Sequence, residues 1–255
     1  MGLPAHGRDA EARRVRLSRR YRGRDQRRRL HRQDGRRAAP VHLTRRCGSE
    51  VDAVRRWIVL CATAEAVGMA ASAAAARAGT ALVTAGRGSV LAWTIVVLGG
   101  LVEGTALGLA QRAALTRLAP TLHRRRWLLV TVAVAGLGWA AGSVPSVLAT
   151  DDGATAPGPV AALGGAAALG LAMGAVLGAA QSWVMRPATQ HPWRWVGISA
   201  AAWTPAMVLI FTGASITPAD WPLGAVVLFG TATGAVAGAV LGAVCGALAP
   251  ALTAP

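Results

Sequence analysis

The stretch Gly100-Leu-Val-Glu-Gly104-Thr-Ala-Leu-Gly108-Leu-Ala-Gln111 contains the pattern on which the predicted fold depends. At 100° per residue, its spaced glycines and its glutamine fall within an arc of about 80° on one face of a helix. Such a face is nearly bare backbone, which lets a second helix approach closely without a hydrophobic effect between the two. The stretch therefore predicts a helix that packs tightly against another helix inside a membrane.

The same pattern recurs 70 residues later, at Gly170, Gly174, Gly178 and Gln181. Each copy is followed by an arginine-containing connection and then by a tryptophan-bearing apolar segment with an internal proline. Both copies are predicted to run in the same direction, so we interpret them as parallel repeats and not as an inverted pair. A third glycine series lies in the last apolar segment and includes Gly234, Gly238 and Gly242.

Six apolar segments follow one another after the first fifty residues. They are 57–76, 90–110, 127–149, 160–185, 195–212 and 223–249. Each approaches or exceeds the roughly 20 residues that a helix needs to cross a bilayer. We therefore predict an all-α integral membrane fold with six transmembrane helices, in which two parallel helical-hairpin repeats have a flanking helix on each side. Residues 51–255 form this transmembrane domain.

The distribution of arginine predicts the orientation of the helices. After residue 50, nine arginines lie directly before the first segment or in the second and fourth connections, whereas the third and fifth connections carry only Asp151, Asp152 and Asp220 as charges. By the positive-inside rule, both termini then face the cytoplasm. Only Arg77 and Arg87, in the first connection, oppose this assignment. We expect a multi-pass protein of the bacterial cytoplasmic membrane.

Residues 1–50 differ sharply in composition from the rest of the chain. They hold 16 of the 27 basic residues, all of them arginines, and few large aliphatic side chains. Such a segment buries too little apolar surface to offset the entropy of ordering, so a disordered arm is predicted. The alternative is a mis-called start, with Val51 opening the native protein. Arg55 and Arg56 before an apolar run also resemble a signal peptide, but Glu65 interrupts that run and favours an uncleaved first helix.

These features together resemble an uncharacterised family of bacterial multi-pass membrane proteins. The resembling elements are the stretch 103–111, Trp127, the stretch 138–146, the second glycine helix up to Gln181, Trp195, Trp203 and the glycine-rich last segment. The family often has tryptophan directly after the glutamine, where this chain has Arg112 and Ser182. The resemblance covers residues 99–249, and it implies this topology but no activity.

Two acidic residues, Glu65 and Glu103, lie inside predicted spans. An ionisable side chain at that depth is expensive and is a candidate for a functional site. Each lies about 12 Å from the cytoplasmic interface at the usual helical rise, so the two are predicted to share one depth. They either bind a proton or cation, or they hydrogen-bond across helices, for example to Thr63, Thr105 or a glutamine, and serve packing alone.

The remaining polar candidates are two glutamines and three cysteines. Gln111 and Gln181 lie near the cytoplasmic ends of their helices, where we expect them to cap backbone carbonyls; the alternative is that they bond to each other as repeat mates. Cys47, Cys61 and Cys245 are far apart in sequence, with neither a disulfide framework nor metal-ligand spacing. We expect no metal and no cofactor.

Several functions are not expected from the sequence. No Walker loop, nucleophile motif or zinc signature occurs in the chain, so an enzyme is not expected. Nucleic acid is not expected either, since the basic arm has only Tyr21 for stacking and no recognisable nucleic-acid fold. The expected partners are the lipid bilayer and other membrane helices, including a second copy of the chain.

The sequence favours a structural or interaction bundle. The alternative is a small transporter or channel for protons or cations that uses Glu65 and Glu103. A water-filled cavity that reaches these carboxyl groups would favour transport, and a dry, glycine-packed interior would favour the bundle.

Overall fold

Six helices with short connections make up the described part of the chain. The computed structural model describes residues 51–148 and 158–253. Helix α1 spans Val51–Thr84, followed by α2 (Ser89–Leu115), α3 (Arg124–Leu148), α4 (Pro159–Met185), α5 (Arg194–Ile216), α6 (Leu223–Leu248) and a 3-10 turn at Ala249–Leu252. No strand occurs in these two ranges. The predicted disorder of residues 1–50, and the acidic pair Asp151 and Asp152, lie outside them.

All six helices are long and apolar enough to cross a membrane, which confirms their predicted number. The largest difference from the predicted bounds is at α1, which begins six residues before the predicted span and ends eight residues after it. The reason is that hydropathy marks only the apolar part of a helix. Backbone hydrogen bonding continues through the alanines and threonines of 77–84 and through the polar start at 51–56, which favour or tolerate helix.

The helices contact one another in chain order and form a ring. Contacts join α2 to α3, α3 to α4, α4 to α5 and α5 to α6. Gly68 of α1 lies against α2, and Gly238 of α6 lies against α1, so the last helix closes on the first. Along the α1–α2, α2–α3, α4–α5 and α6–α1 contacts the residue numbers rise on one helix and fall on the other. Consecutive helices are therefore antiparallel, as their short connections require.

One end of the ring is filled by indole rings. Trp57, Trp127 and Trp195 lie near the starts of α1, α3 and α5 and are all buried. The ring of Trp195 has its centroid 5.8 Å from that of Trp57 and 6.0 Å from that of Trp127. We call this end, where α2, α4 and α6 finish, the tryptophan end. The α1–α2 and α5–α6 connections lie at the opposite end.

Arg77 has a structural role at the opposite end. It lies within α1, not in the first connection as predicted, and its guanidinium donates hydrogen bonds to the backbone oxygens of Ala219 and Trp221. These oxygens belong to the α5–α6 connection, where no helix partner is available to them. Arg77, one of the two arginines that oppose the predicted orientation, therefore satisfies backbone acceptors that no helix hydrogen bond serves.

Candidate functional site

The predicted glycine faces lie at three helix contacts, which we call the glycine seams. A Cβ atom added at Gly170 would lie 2.5 Å from the backbone oxygen of Trp203, and one added at Gly174 would lie 2.7 Å from that of Ser199. Gly178 faces α5 in the same way. The α2 seam contacts α3 through Gly100, Gly104 and Gly108, and the α6 seam contacts α1 through Gly234, Gly238 and Gly242. At the α4 and α6 seams the facing backbone is too close for a side chain on these glycines, and at the α2 seam the nearest atoms belong to the side chains of Leu128, Ala135 and Trp139.

The three seams correspond position by position. Gly104, Gly174 and Gly238 each contact residues four, five and eight positions after the buried tryptophan of the facing helix. Residues at equivalent levels can therefore be compared. The residues four positions after the tryptophans are Cys61, Thr131 and Ser199, and those eight positions after them are Glu65, Ala135 and Trp203.

A buried hydrogen-bonded cluster beside the tryptophan end joins α2, α3, α4 and α5. The Gln181 Nε2 amide donates to Gln111 Oε1 and to Thr131 Oγ1, both at 2.9 Å. The Trp195 indole donates to Gln181 Oε1 at 2.7 Å. The expectation that the glutamines cap backbone carbonyls is therefore wrong. The seams draw the helices together and turn both glutamines into the ring, where they bond to each other, as in the alternative considered from the sequence.

Loss of Gln181 should weaken the fold. Leucine at this position would leave polar groups of Gln111, Thr131 and Trp195 without their present partners inside the ring. Each buried group left unpartnered costs about 1–3 kcal/mol. We expect Gln181→Leu to lower the melting temperature in detergent by several degrees, and Gln190→Leu, in an exposed connection, to leave it unchanged. Equal melting temperatures for the two variants would show that the cluster contributes nothing to stability.

A cavity of about 580 Å³ lies inside the ring between this cluster and the opposite end. It extends from Thr131 and Leu177, next to the cluster, to Thr84 at the end of α1. Because Thr131 belongs to both, the cluster forms the floor of the cavity. The volume lies within the range of about 300–1,000 Å³ that is usual for small-molecule sites.

Helices α1 to α5 supply the wall of the cavity, and the wall is mainly apolar. Met173, Met207, Ile210 and Phe211 are among its residues, and Glu103 is the one charged side chain in the lining that the described residues provide. Hydroxyl groups, such as that of Thr80, and the indoles of Trp139 and Trp203 are the other polar groups. The cavity therefore suits an apolar molecule that needs a single anionic partner.

Glu103 is held in the wall by groups on two other helices. Its side chain packs against Gly68 of α1. The Ser72 hydroxyl of α1 donates to Glu103 Oε2 at 3.1 Å, and the indole of Trp139 on α3 lies near this carboxyl group. A hydroxyl donor is the kind of partner that a buried carboxylate requires. The side chain is 8% exposed.

Glu65 lies on the same face of α1 and has different surroundings. Its side chain is 1% exposed, and the Glu103 carboxyl is its acidic neighbour. Neither of its carboxyl oxygens has a hydrogen-bond partner among the described residues. The structure thus brings the two acidic residues together, with Glu103 at the cavity and Glu65 enclosed behind it.

The hydrogen-bond partners considered from the sequence do not serve these carboxyl groups. The hydroxyl of Thr63 donates to the Val59 carbonyl of its own helix, and that of Thr105 donates to the Leu101 carbonyl. A hydroxyl group in a helix reaches the carbonyl four residues back more easily than it reaches a neighbouring helix. The glutamines bond within their own cluster.

Known proteins do not identify the site. The chain matches no protein-family model, no curated protein and no solved structure. The resemblance to a bacterial membrane family therefore stays a prediction, and function has to be argued from the cavity and its residues.

The sequence analysis did not place Gly68, Ser72 or Trp139 in the site. A signal for the first two is present, because Glu65, Gly68 and Ser72 follow one another at spacings of three and four residues and so share a helix face. No comparable signal exists for Trp139. Its approach to Glu103 depends on how α3 packs over Gly100 of α2.

Cys61 and Cys245 come together at the seam between α1 and α6. Both are buried, and each thiol lies near enough to the other to influence it electrostatically. In the correspondence between the seams, Cys61 is equivalent to Thr131, and Cys245 is equivalent to Gln111. Cys47 lies outside the described residues. Within the described ranges, no group of three or more His, Cys, Asp or Glu side chains is arranged to hold a metal ion.

Proposed function

We propose that the protein is a small transporter of the bacterial cytoplasmic membrane that binds a lipophilic cation in the cavity beside Glu103. The supporting observation is an apolar cavity of ligand size with one carboxyl group in its wall. An apolar wall favours an organic molecule over a small hydrated ion, and the carboxylate favours a positive charge on it. The cavity reaches Glu103, which is one of the two carboxyl groups that the transport alternative invoked.

The outer surface of the ring supports a position within the bilayer. Leu137, Leu171 and Leu228 lie well inside their helices and are more than half exposed, which in water would be an aggregation hazard. The arginine-rich connections lie at the tryptophan end, so this end faces the cytoplasm in the proposal, together with both termini. The long axis of the cavity then runs toward the outer surface.

The helix arrangement in this proposal extends the two hairpin repeats to three. The repeats predicted from the sequence are α2 with α3 and α4 with α5. Helices α6 and α1, which the sequence analysis treated as flanking, pair through the same glycine contacts as the other two units. Three parallel units around one axis leave a space at the centre of the ring, which accounts for the cavity in a chain this short.

The structural or interaction bundle is the second candidate. The observation in its favour is the tryptophan end, where the indole rings and the glutamine cluster fill the centre of the ring. In that role the cavity would bind no cation. A second copy of the chain or another membrane helix would be the partner, and the glycine seams would serve only to hold the bundle together.

Binding of tetraphenylphosphonium to the purified protein in detergent separates these candidates. We expect saturable binding in equilibrium dialysis, and at least a tenfold loss of affinity in Glu103→Gln, which corresponds to about 1.4 kcal/mol. Asp220→Asn removes one negative charge from an exposed connection and should bind as the wild type does.

Tetraphenylborate has the same shape with the opposite charge, and it should compete poorly. Equal affinities of wild type and Glu103→Gln, or no saturable binding to either, would remove the cation-binding proposal and leave the bundle.

A further inference from the structure

We infer that the ring contains a proton path from the tryptophan end to the cavity, with Glu65 as its intermediate proton carrier. The inference deepens the proposed function, since it supplies a proton that could exchange with a cation at Glu103. It stands on its own observation, which is the arrangement of buried polar atoms that no described residue satisfies.

These atoms lie at successive levels between the tryptophan end and Glu103. They are Trp127 Nε1, Gln111 Nε2, Ser199 Oγ, Trp203 Nε1 and both carboxyl oxygens of Glu65. Buried polar groups in proteins are nearly always hydrogen-bonded, to protein or to ordered water. Six such atoms within one ring therefore mark a place where water belongs, and not a set of unrelated packing faults.

The spacing of the levels suits single water molecules. Levels are counted along each helix from its buried tryptophan. Trp127 is that tryptophan in α3, Ser199 lies four positions after Trp195, and Glu65 lies eight positions after Trp57. Four residues of helix rise about 6 Å, and two hydrogen bonds through one water molecule cover nearly the same length. The proposed path places one water molecule between adjacent levels.

Only the two carboxyl groups change protonation in this path. A proton arriving from water forms an O–H bond on Glu65, and the same bond breaks when the proton passes through water to Glu103. Ser199, Gln111 and the two indoles hold water in position without being titrated. The transfer requires no other reactant.

The surroundings of Glu65 contain few other titratable groups. Glu103 faces it from α2, Cys61 lies one turn earlier on its own helix, and Cys245 lies near Cys61 on α6. The buried residues that the structure describes on α3, α4 and α5 include no charged side chain. No fixed positive charge on these helices therefore holds Glu65 in its ionised form.

Proton flux into reconstituted vesicles tests this path. Vesicles with an internal pH-sensitive dye receive a potassium diffusion potential through valinomycin, with no lipophilic cation present. Wild-type protein should acidify the interior well above the leak rate of empty vesicles. Glu65→Gln should lower the flux at least tenfold, to the leak rate, and Glu65→Asp should restore part of it. Asp220→Asn is the control and should match the wild type.

The tetraphenylphosphonium assay, run on the same preparations, separates this inference from the proposed function. Glu65→Gln should keep its affinity for the cation within about twofold of the wild type, which also shows that the variant folds. Wild-type flux at the leak rate, or Glu65→Gln flux equal to that of the wild type, would overturn the path. Either result would leave cation binding at Glu103 to be judged by its own assay.

Discussion

Gly174→Leu should prevent the protein from folding, whereas Gly165→Leu in the same helix should be tolerated. An added Cβ at Gly174 would lie 2.7 Å from the Ser199 carbonyl oxygen and 2.8 Å from the Ala200 Cα, and both are backbone atoms that cannot swing away. At Gly165 nothing lies within 4 Å. The leucine there should even favour the helix by up to about 1 kcal/mol.

The expected cost at Gly174 exceeds the roughly 1–3 kcal/mol that is usual for overpacking, because the whole seam between α4 and α5 would have to open. The yield of monodisperse protein in size-exclusion chromatography measures the effect. Gly238→Leu at the α6 seam should fail in the same way, with Gly224→Leu as its control, since nothing surrounds Gly224 either. Similar yields for seam and control variants would mean that the glycine faces do not hold the ring together.

Accessibility of single cysteines should give an all-or-none result for orientation. In a Cys47→Ala background the remaining Cys61 and Cys245 are buried and should not react. Asp220→Cys should then react in spheroplasts with an impermeant maleimide, because the α5–α6 connection is proposed to face outward. Thr121→Cys, which is exposed in the α2–α3 connection, should react only after the membrane is permeabilised.

The reverse labelling pattern would mean that the protein has the opposite orientation in the membrane, with the cavity on the cytoplasmic side. Labelling of both positions in intact spheroplasts would contradict the number of crossings between them. The residual reactivity of the Cys47→Ala parent serves as the blank.

Local sequence patterns were enough to predict the helices and their glycine faces. Apolar length marks each helix, and the four-residue spacing of Gly170, Gly174 and Gly178 places them on one side, because both properties depend only on neighbours along the chain. The packing glycines of α6 were predicted too, but the pairing of α6 with α1 as a third equivalent unit was not. Its glycines are present in α6, but Cys245 stands where the other two copies have glutamine, so the repeat is not visible in the side chains.

The surroundings of the carboxyl groups could be predicted only in part. Glu65 and Glu103 lie at equal distances from the cytoplasmic ends of their predicted spans, which indicated that they share a layer. The structure does bring them together. The neighbours of Glu103, Ser72 and Trp139, come from two other helices, and which side chains reach it depends on the rotation of those helices. The cavity is also a property of the closed ring as a whole. No single segment of the sequence encodes it, which is why the sequence alone favoured a packed bundle.

A crystal structure with bound tetraphenylarsonium would locate the cation directly, since the anomalous scattering of arsenic identifies it at modest resolution. We predict one strong arsenic peak inside the ring, surrounded by Glu103, Trp139 and Trp203, and loss of that peak in Glu103→Gln crystals. An empty cavity with arsenic only on the lipid-facing surface, or a peak that persists in Glu103→Gln, would contradict a cation site built around this carboxyl group.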